Sequence, residues 1–501
     1  MTPQSEFIII APIIPVKRAA LETLLVSMNV EPAPGTPSTG MADPENMLVP
    51  FGQFGALHVA RFVIVADETL SDFALIGLAV PEYPVTLALI GDCDGGADAF
   101  LSDLADHATA AAGLRAIFGH CEGFGASTNL LAWMRQHSVK PAAAYVNWVG
   151  RTTLQARKES ALRAALQGEL VRYLGPCPAA DADVRAARDH LVKFYHENPD
   201  LKFHADQTPI AWWIRNWLHF LIVPVLLLLP WALAWPFIDP FNWYFVLVLL
   251  VFGALALQAF VYLSLKATVT FAVIVAAAIM FVGFLFFYPL IGVVVVAAAI
   301  GFLLLVRHIE KREPEVIPKP TEAHDTALAW QEDHDVTNQF TIVGSVKPGA
   351  LRRGLLIVIL WFTQYGARHV YNRGFLARIQ TIHFASWTFI DGKRRVLFIS
   401  NYDGSRQAYM DDFINKVGWG LNIIFGNGLG YPRTRWLVLD GAKNELRFKD
   451  TNRRHQIPTQ VWYKAYPGLT AFDLARNTRI RKGLERRFMS RRHIRAWLRD
   501  L

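Results

Sequence analysis

The stretch NWLHFLIVPVLLLLPWALAWPFIDPFNWYFVLVLLVFGALALQAFVYLSLKATVTFAVIVAAAIMFVGFLFFYPLIGVVVVAAAIGFLLLV, residues 216–306, holds only two charged side chains, Asp239 and Lys266. They cut it into apolar runs of 22 residues (217–238), 26 (240–265) and 40 (267–306). A helix crossing a hydrocarbon core of about 30 Å needs roughly 20 apolar residues. The third run is twice that length. Tyr288-Pro289 lies at its midpoint and is the natural turn, because proline disfavours helix in the residue before it. The pattern predicts four spans, about 217–238, 241–264, 268–287 and 290–306, with three as the competing count if the last run is one long or re-entrant helix. Trp212, Trp213, Trp217, Trp235, Trp243 and Tyr244 gather near the ends, as an aromatic belt does.

Charge places this block in a membrane. Lys202 and Arg215 precede it, Lys266 lies in the second turn, and Arg307, Lys311 and Arg312 follow it. The first and third turns, IDPFN and FFYPL, carry no Lys or Arg. The positive-inside rule then predicts a multi-pass protein of the cell (inner) membrane with both termini cytoplasmic, which an even number of spans also requires. The formal net charge is +8, and from Arg476 to Leu501 there are ten Lys/Arg against two acids, Glu485 and Asp500. A basic segment on a membrane protein points to anionic lipid headgroups rather than nucleic acid; a solvated terminal helix is the alternative. Cys93, Cys121 and Cys177 have no CxxC spacing, which supports neither a disulfide framework nor a metal site. Near the start, FIIIAPIIP is broken by prolines and has no basic region before it, so it is expected as a strand rather than a signal peptide.

Outside the block, five segments recur in the same order. FIIIAPIIP (7–15) has the spacing of FTIVGSVKP (340–348), LHVARFVIVAD (57–67) that of IHFASWTFID (382–391), and LIGDCDG (89–95) that of FISNYDG (398–404). GLRAIFGHCEGF (113–124) then matches GLNIIFGNGLGY (420–431), and PAAAYVNWVGRTT (141–153) matches PTQVWYKAYPGLT (458–470). Each set follows the order strand, helix, strand, strand, helix, strand, the ferredoxin-like βαββαβ order. In HVARFVIV both alternating sets are mostly apolar, so this strand is expected to be buried on both faces. The simplest cover for one sheet is the other. The expected fold is an α+β membrane protein: two ferredoxin-like lobes (1–205 and 338–475) paired as an α+β barrel. A four-helix transmembrane block (206–310), a Pro-rich linker (311–337) and a basic tail (476–501) complete it.

At this level the chain resembles the superfamily of duplicated ferredoxin-like proteins known as dimeric α+β barrels, which includes chlorite dismutases, dye-decolorizing haem peroxidases and small monooxygenases. The resemblance covers roughly residues 5–165 and 338–475 and is one of architecture. Gly91-Asp92-Cys93-Asp94-Gly95 is similar to the GxxDG pattern of the dye-decolorizing peroxidases, in which the Asp assists peroxide cleavage beside the haem. The second copy has Ser400-Asn401-Tyr402-Asp403-Gly404. Both Asp-Gly pairs fall between a strand and a helix, where capping explains both copies.

Asp94 and Arg61 are the candidate catalytic residues. An Arg on an otherwise apolar strand calls for an anionic partner, either a ligand or an Asp. His58 and His383 occupy matching strand positions and are the candidate cofactor ligands; haem is the cofactor the resemblance implies, and a satisfied structural histidine is the competing reading. His120-Cys121-Glu122 lies in a Gly-flanked loop, and GLLIVILWF (354–362) is too short to span. Two functions follow. The first is a membrane protein whose paired cytoplasmic lobes bind a small apolar or amphipathic ligand at the membrane face. The second is a membrane-anchored, haem-dependent, peroxidase-like oxidoreductase. Without an axial ligand and a distal Arg at matching positions, the first ranks ahead.

Overall fold

The computed structural model describes residues 3–175, 183–203, 208–234, 265–287, 289–315 and 319–501, with Val251 and Gly253. Two four-stranded antiparallel sheets form its centre. The N-terminal region supplies β1 (Gln4–Pro12), β2 (Leu57–Val65), β3 (Thr86–Asp94) and β4 (Ala143–Val146). The C-terminal region supplies β5 (Thr337–Ser345), β6 (Ile382–Ile390), β7 (Arg395–Asp403), a small ribbon of β8 (Thr434–Arg435) and β9 (Leu439–Asp440), and β10 (Val461–Lys464). The sheet orders are β1-β3-β2-β10 and β5-β7-β6-β4. Here the pairing differs from the expected lobes: each region gives its fourth strand to the other sheet.

The exchange leaves few backbone groups unpaired at the sheet edges, where open ladders invite association. Before entering the second sheet, the segment around Ser138 bonds to β1: Ile10 N donates to His137 O at 3.0 Å and Val139 N to Ile8 O at 2.9 Å. The C-terminal region repeats this. Ile457 N donates to Thr341 O of β5 at 2.9 Å, and β10 then pairs with β2. The two sheets also share a register. Gln4 opposes Asp94 as Thr337 opposes Asp403, and an irregularity falls between Leu57 and Val59 as it does between Ile382 and Phe384.

The helices run, in order, α1 (Arg18–Val26), α2 (Asp72–Leu75), α3 (Ala97–Asp106), α4 (Ala108–Phe118), α5 (Leu130–Gln136), α6 (Thr153–Leu174), α7 (Val184–Glu197) and α8 (Ile210–Ala234). After them come α9 (Leu265–Phe287), α10 (Pro289–Arg312), α11 (Glu322–Ala329), α12 (Ala350–His369), α13 (Arg406–Phe425), α14 (Glu445–His455), α15 (Ala471–Glu485) and α16 (Arg491–Asp500). Leu21, Phe100, Leu114 and Trp133 from the first helices pack on Phe7, Phe62 and Leu89 of the outer sheet face. On the inner face, Ile8, Val63, Ala88 and Ile90 meet Val343, Leu397 and Ile399 of the second sheet. All nine residues of β2 are buried, as its doubly apolar sequence requires.

Among the described residues, two helices are long and apolar enough to cross a membrane, within Ile210–Leu229 and Gly292–Arg312, and most of their residues are not buried. Between them, α9 ends at Phe287 and α10 begins at Pro289. The expected span 241–264, apart from Val251 and Gly253, lies outside the described residues, as do Asp239, Trp235, Trp243, Tyr244 and Cys177. Instead of leading into a loose linker, the end of α10 is fastened to the C-terminal region. Glu310, buried in that end, accepts from Trp436 N at 2.9 Å, Leu437 N at 2.8 Å and Thr434 Oγ1 at 2.8 Å, and Glu313 takes Arg352 on both oxygens at 2.7 Å. The basic C-terminal segment folds as the end of α15 and α16. There Ile494 and Trp497 are buried, and the Trp497 indole donates to Ile480 O at 2.9 Å.

Val63 lies between the sheets and Ala60 lies under the helices of the first sheet. A buried carboxylate without a partner costs on the order of several kcal/mol. In calorimetry, Val63→Asp should lower the melting of both regions together. Separate transitions, with one region unaffected, would disprove the shared inner core.

Candidate functional site

The sequence candidates gather at one end of the sheet pair. The irregularities at the starts of β2 and β6 carry His58 and His383. His58 Nε2 lies 3.0 Å from Asp94 Oδ1, and Asp94 Oδ2 accepts from Thr153 N at 2.9 Å. His383 Nε2 lies 2.6 Å from Asp403 Oδ1, and Asp403 Oδ2 accepts from Ala471 N at 2.6 Å. Each Asp therefore joins a histidine to a helix start, where free N–H groups and the helix dipole favour a negative charge. The helices served are α6 and α15. The helices that directly follow Asp94 and Asp403 start at Gly96, with no side-chain cap, and at Ser405, which caps its own helix. Capping by Asp is thus real, but it acts across the fold. Burial pushes the Asp403 carboxyl upward, yet His383, the Ala471 N–H and Thr337 hold it below its ordinary value.

The two histidines come together around one tyrosine. The Tyr466 ring centroid is 5.8 Å from that of His58 and 6.4 Å from that of His383, and its hydroxyl is 3.1 Å from His58 Nδ1. Both nitrogens of His58 are engaged, and the Nε2 of His383 is held by a carboxylate. A haem iron needs a free imidazole nitrogen and space beside it. His58 therefore has no free nitrogen to offer an iron. Among the described residues no cluster of three or more His, Cys, Asp or Glu is placed to hold a metal ion.

Arg61 reaches from β2 into the second sheet. Its guanidinium donates to Phe340 O at 3.1 Å, Thr341 Oγ1 at 2.9 Å, Ser400 O at 3.3 Å and to Asn401 Oδ1, and it lies 4.9 Å over the Trp462 ring. Burial lowers its pKa to about 10, while Asp92 and Glu6 pull the other way. These two carboxyls were not among the sequence candidates. Glu6 and Asp92 are cross-strand partners on β1 and β3. Ser386 Oγ donates to Glu6 Oε1 at 2.6 Å, while Glu6 Oε2 is sealed from solvent without a hydrogen-bond partner. Burial raises Glu6 from 4.5 to about 7, with Ser386 and Arg61 opposing; burial and then the Glu6 charge raise Asp92 well above its ordinary range. Period-two reading of Glu6, Ile8 and Ile10 was the available signal. Gly91 between them is steric: a Cβ there would sit 2.6 Å from Val59 O and 2.5 Å from the Phe7 ring.

The second feature is a cavity of about 350 Å³ on the outer side of the second sheet, between α12 and α13. Ile359, Phe362, Trp387, Phe398, Phe413 and Trp419 line it, and no charged side chain does. Phe362 and Trp419 are 56% and 60% exposed, so the apolar lining continues onto the surface. The short apolar run 354–362 thus belongs to the 20-residue helix α12, whose Leu356 and Leu360 face the core. The other end of α12 docks on α8. The Tyr365 hydroxyl donates to Phe220 O at 3.0 Å, Arg368 Nε to Asn216 Oδ1 at 2.8 Å, and His369 Nε2 lies 2.8 Å from His219 Nδ1. No known family, curated protein or solved structure matches the chain.

Because the folded-state pKa of Glu6 lies above its unfolded value, the fold favours the protonated form. That contribution is complete below about pH 4.5 and is lost as pH rises through about 7. Thermal melts from about pH 5 to 8 should show stability falling, and Glu6→Gln should flatten part of the fall. An unchanged pH profile in Glu6→Gln would refute this assignment.

Proposed function

We propose that this chain is a multi-pass membrane protein that binds an apolar or amphipathic ligand at the membrane face, in the cavity between α12 and α13. The observation that carries this reading is the position of an uncharged cavity of about 350 Å³ on the same helix that docks against α8. A pocket of this size and polarity suits a hydrocarbon chain, and the membrane supplies such chains beside its entrance. We also read the two regions as ferredoxin-like copies forming one α+β barrel. Their common strand order, common irregularity and common His–Asp–helix unit support that reading.

The four-span topology with both termini cytoplasmic rests on the Lys/Arg distribution. A reporter fused after Pro240 should lie on the side opposite one fused after Lys311; the same side for both would overturn it. On that side the C-terminal segment would meet anionic lipid. Lys482, Arg486, Arg487, Arg491, Arg492, Arg495 and Arg499 are exposed, together with Phe488, while Arg479 and Arg481 are paired with Asp500 and Glu159. Replacing Arg491, Arg492 and Arg495 by Gln should weaken the salt-sensitive part of binding to anionic vesicles. Equal salt sensitivity in the variant would remove that role.

The pocket has a direct test. A phospholipid with a photoactivatable diazirine at the end of its acyl chain should label α12 and α13 in the full-length protein. Gly420 lines the cavity with open space where its Cβ would be. Gly420→Phe should fill the cavity and abolish that labelling while leaving labelling of α8 intact. Labelling confined to the membrane helices in both proteins would sink the reading.

A further inference from the structure

We infer that α12 lies along the bilayer surface, with Val358, Trp361 and Phe362 of its outward face among the lipid chains just below the headgroups. This inference rests on the reading of α8 and α10 as membrane helices and not on what fills the cavity. The pattern begins in the sequence. No charged residue falls between Arg353 and Arg368, and the helix turns two faces to its surroundings. Leu356, Leu360 and Ala367 pack in the core of the second region. Gly354, Val358, Phe362, Tyr365 and His369 follow one another at intervals of three or four, with Trp361 beside them, the spacing of a single helix face. That face is turned away from the core, since Val358 and Leu360, two residues apart, project about 200° apart.

The outward face has two halves. In the C-terminal half Tyr365 is buried with Phe220 and Val223 of α8 and beside Val269 of α9, and His369 is buried against His219. In the N-terminal half Val358, Trp361 and Phe362 are 54%, 38% and 56% exposed. One apolar stripe thus ends against helices of the apolar block and starts uncovered. Large side chains grouped in this way are costly in water and mark a surface with a partner. The half already covered identifies that partner, because it is held by the same helices that the bilayer surrounds.

The attachments of α12 set its direction. Arg352, in its first turn, takes Glu313 just beyond the end of α10, and Tyr365 donates to Phe220 O near the start of α8. These two anchors are thirteen residues apart on α12, about 20 Å along its axis. A helix that joins the ends of two spanning helices over such a distance runs across them, along the surface from which they emerge. Its flank has the matching charge. Lys140 and Lys393 are exposed and border a groove with Ile357 and Trp361, while Asp391 in the same groove accepts from Arg395 Nε at 2.6 Å. Aromatic rings with lysines at their margin suit the boundary between acyl chains and headgroups. Phe362 belongs to both the stripe and the cavity wall, so the mouth of the cavity would open into lipid.

The test places a bimane fluorophore at Val358→Cys or Gly354→Cys in the full chain, reconstituted in phospholipid vesicles. Cys93 and Cys121 are buried, and Cys177→Ser removes the third thiol. Gly354 has open space where its Cβ would be, and Val358 does not line the cavity, so neither label reports on a ligand held there. Lipids carrying a doxyl group near the headgroup should quench both labels more than lipids carrying it at the chain end, and aqueous iodide should quench neither. Ala99→Cys, exposed on α3 over the first sheet, should respond to iodide alone. Val225→Cys, exposed on α8, should respond chiefly to the chain-end doxyl. Iodide quenching at Val358→Cys equal to that at Ala99→Cys would put α12 in water and overturn the inference. Protection from every quencher would mean that protein covers the stripe, and stronger quenching from the chain end would mean an inserted helix; either result overturns the surface placement. If neither lipid quenched Val225→Cys, the membrane reading itself would fall.

Discussion

The exchange of fourth strands holds the rest of this molecule in place. A strand buried on both faces needs a layer on each side, and a sheet edge needs a partner for its N–H and C=O groups. Helices cover one face of each sheet, and the opposing sheet covers the other. The crossing segments then answer the edges, since the chain around Ser138 bonds first to β1 and then enters the second sheet beside β6. The segment from Gln456 to Lys464 does the same in reverse. Neither region can complete its sheet without the other, although the apolar block separates them in sequence.

The polar groups of the interior are arranged on this frame. Asp94 and Asp403 each bind a histidine and the first turn of the helix that follows an exchanged strand. They therefore fix the direction in which the chain leaves the sheet pair. Arg61 spans the gap between the sheets and satisfies carbonyls on β5 and β7, while the Glu6–Asp92 pair lies close enough to stabilise its charge. Tyr466 occupies the space between His58 and His383 that a cofactor would require. These features make the inner face a structural joint.

The outer face of the second sheet is tied to α8 and α10 by two kinds of contact. Glu310 and Glu313 anchor the end of α10 to the second region through strong, charge-assisted bonds. By contrast, α12 meets α8 through Tyr365, Arg368 and His369, with no carboxylate among the described residues at that junction.

Local sequence determined much of this protein. A run of 40 apolar residues interrupted by Tyr288-Pro289 cannot be a soluble surface, and α9 and α10 divide at that proline. Alternating apolar residues defined β2 and β6, and the spacing of His58, Asp94, His383 and Asp403 marked positions that the structure joins in pairs. Other features depend on separations that no local pattern encodes. Both parents of an exchanged strand present the same period of two, so the sequence 143–146 fits either sheet equally well, and only the closing of both edges selects the distant one. Asp94 has the composition of a cap for the next helix, but the strand direction delivers it to Thr153 instead. The cavity combines residues of α12, α13, β6 and β7. Such sites arise from the packing of elements that are each unremarkable in sequence, which is why tertiary structure alone decided them.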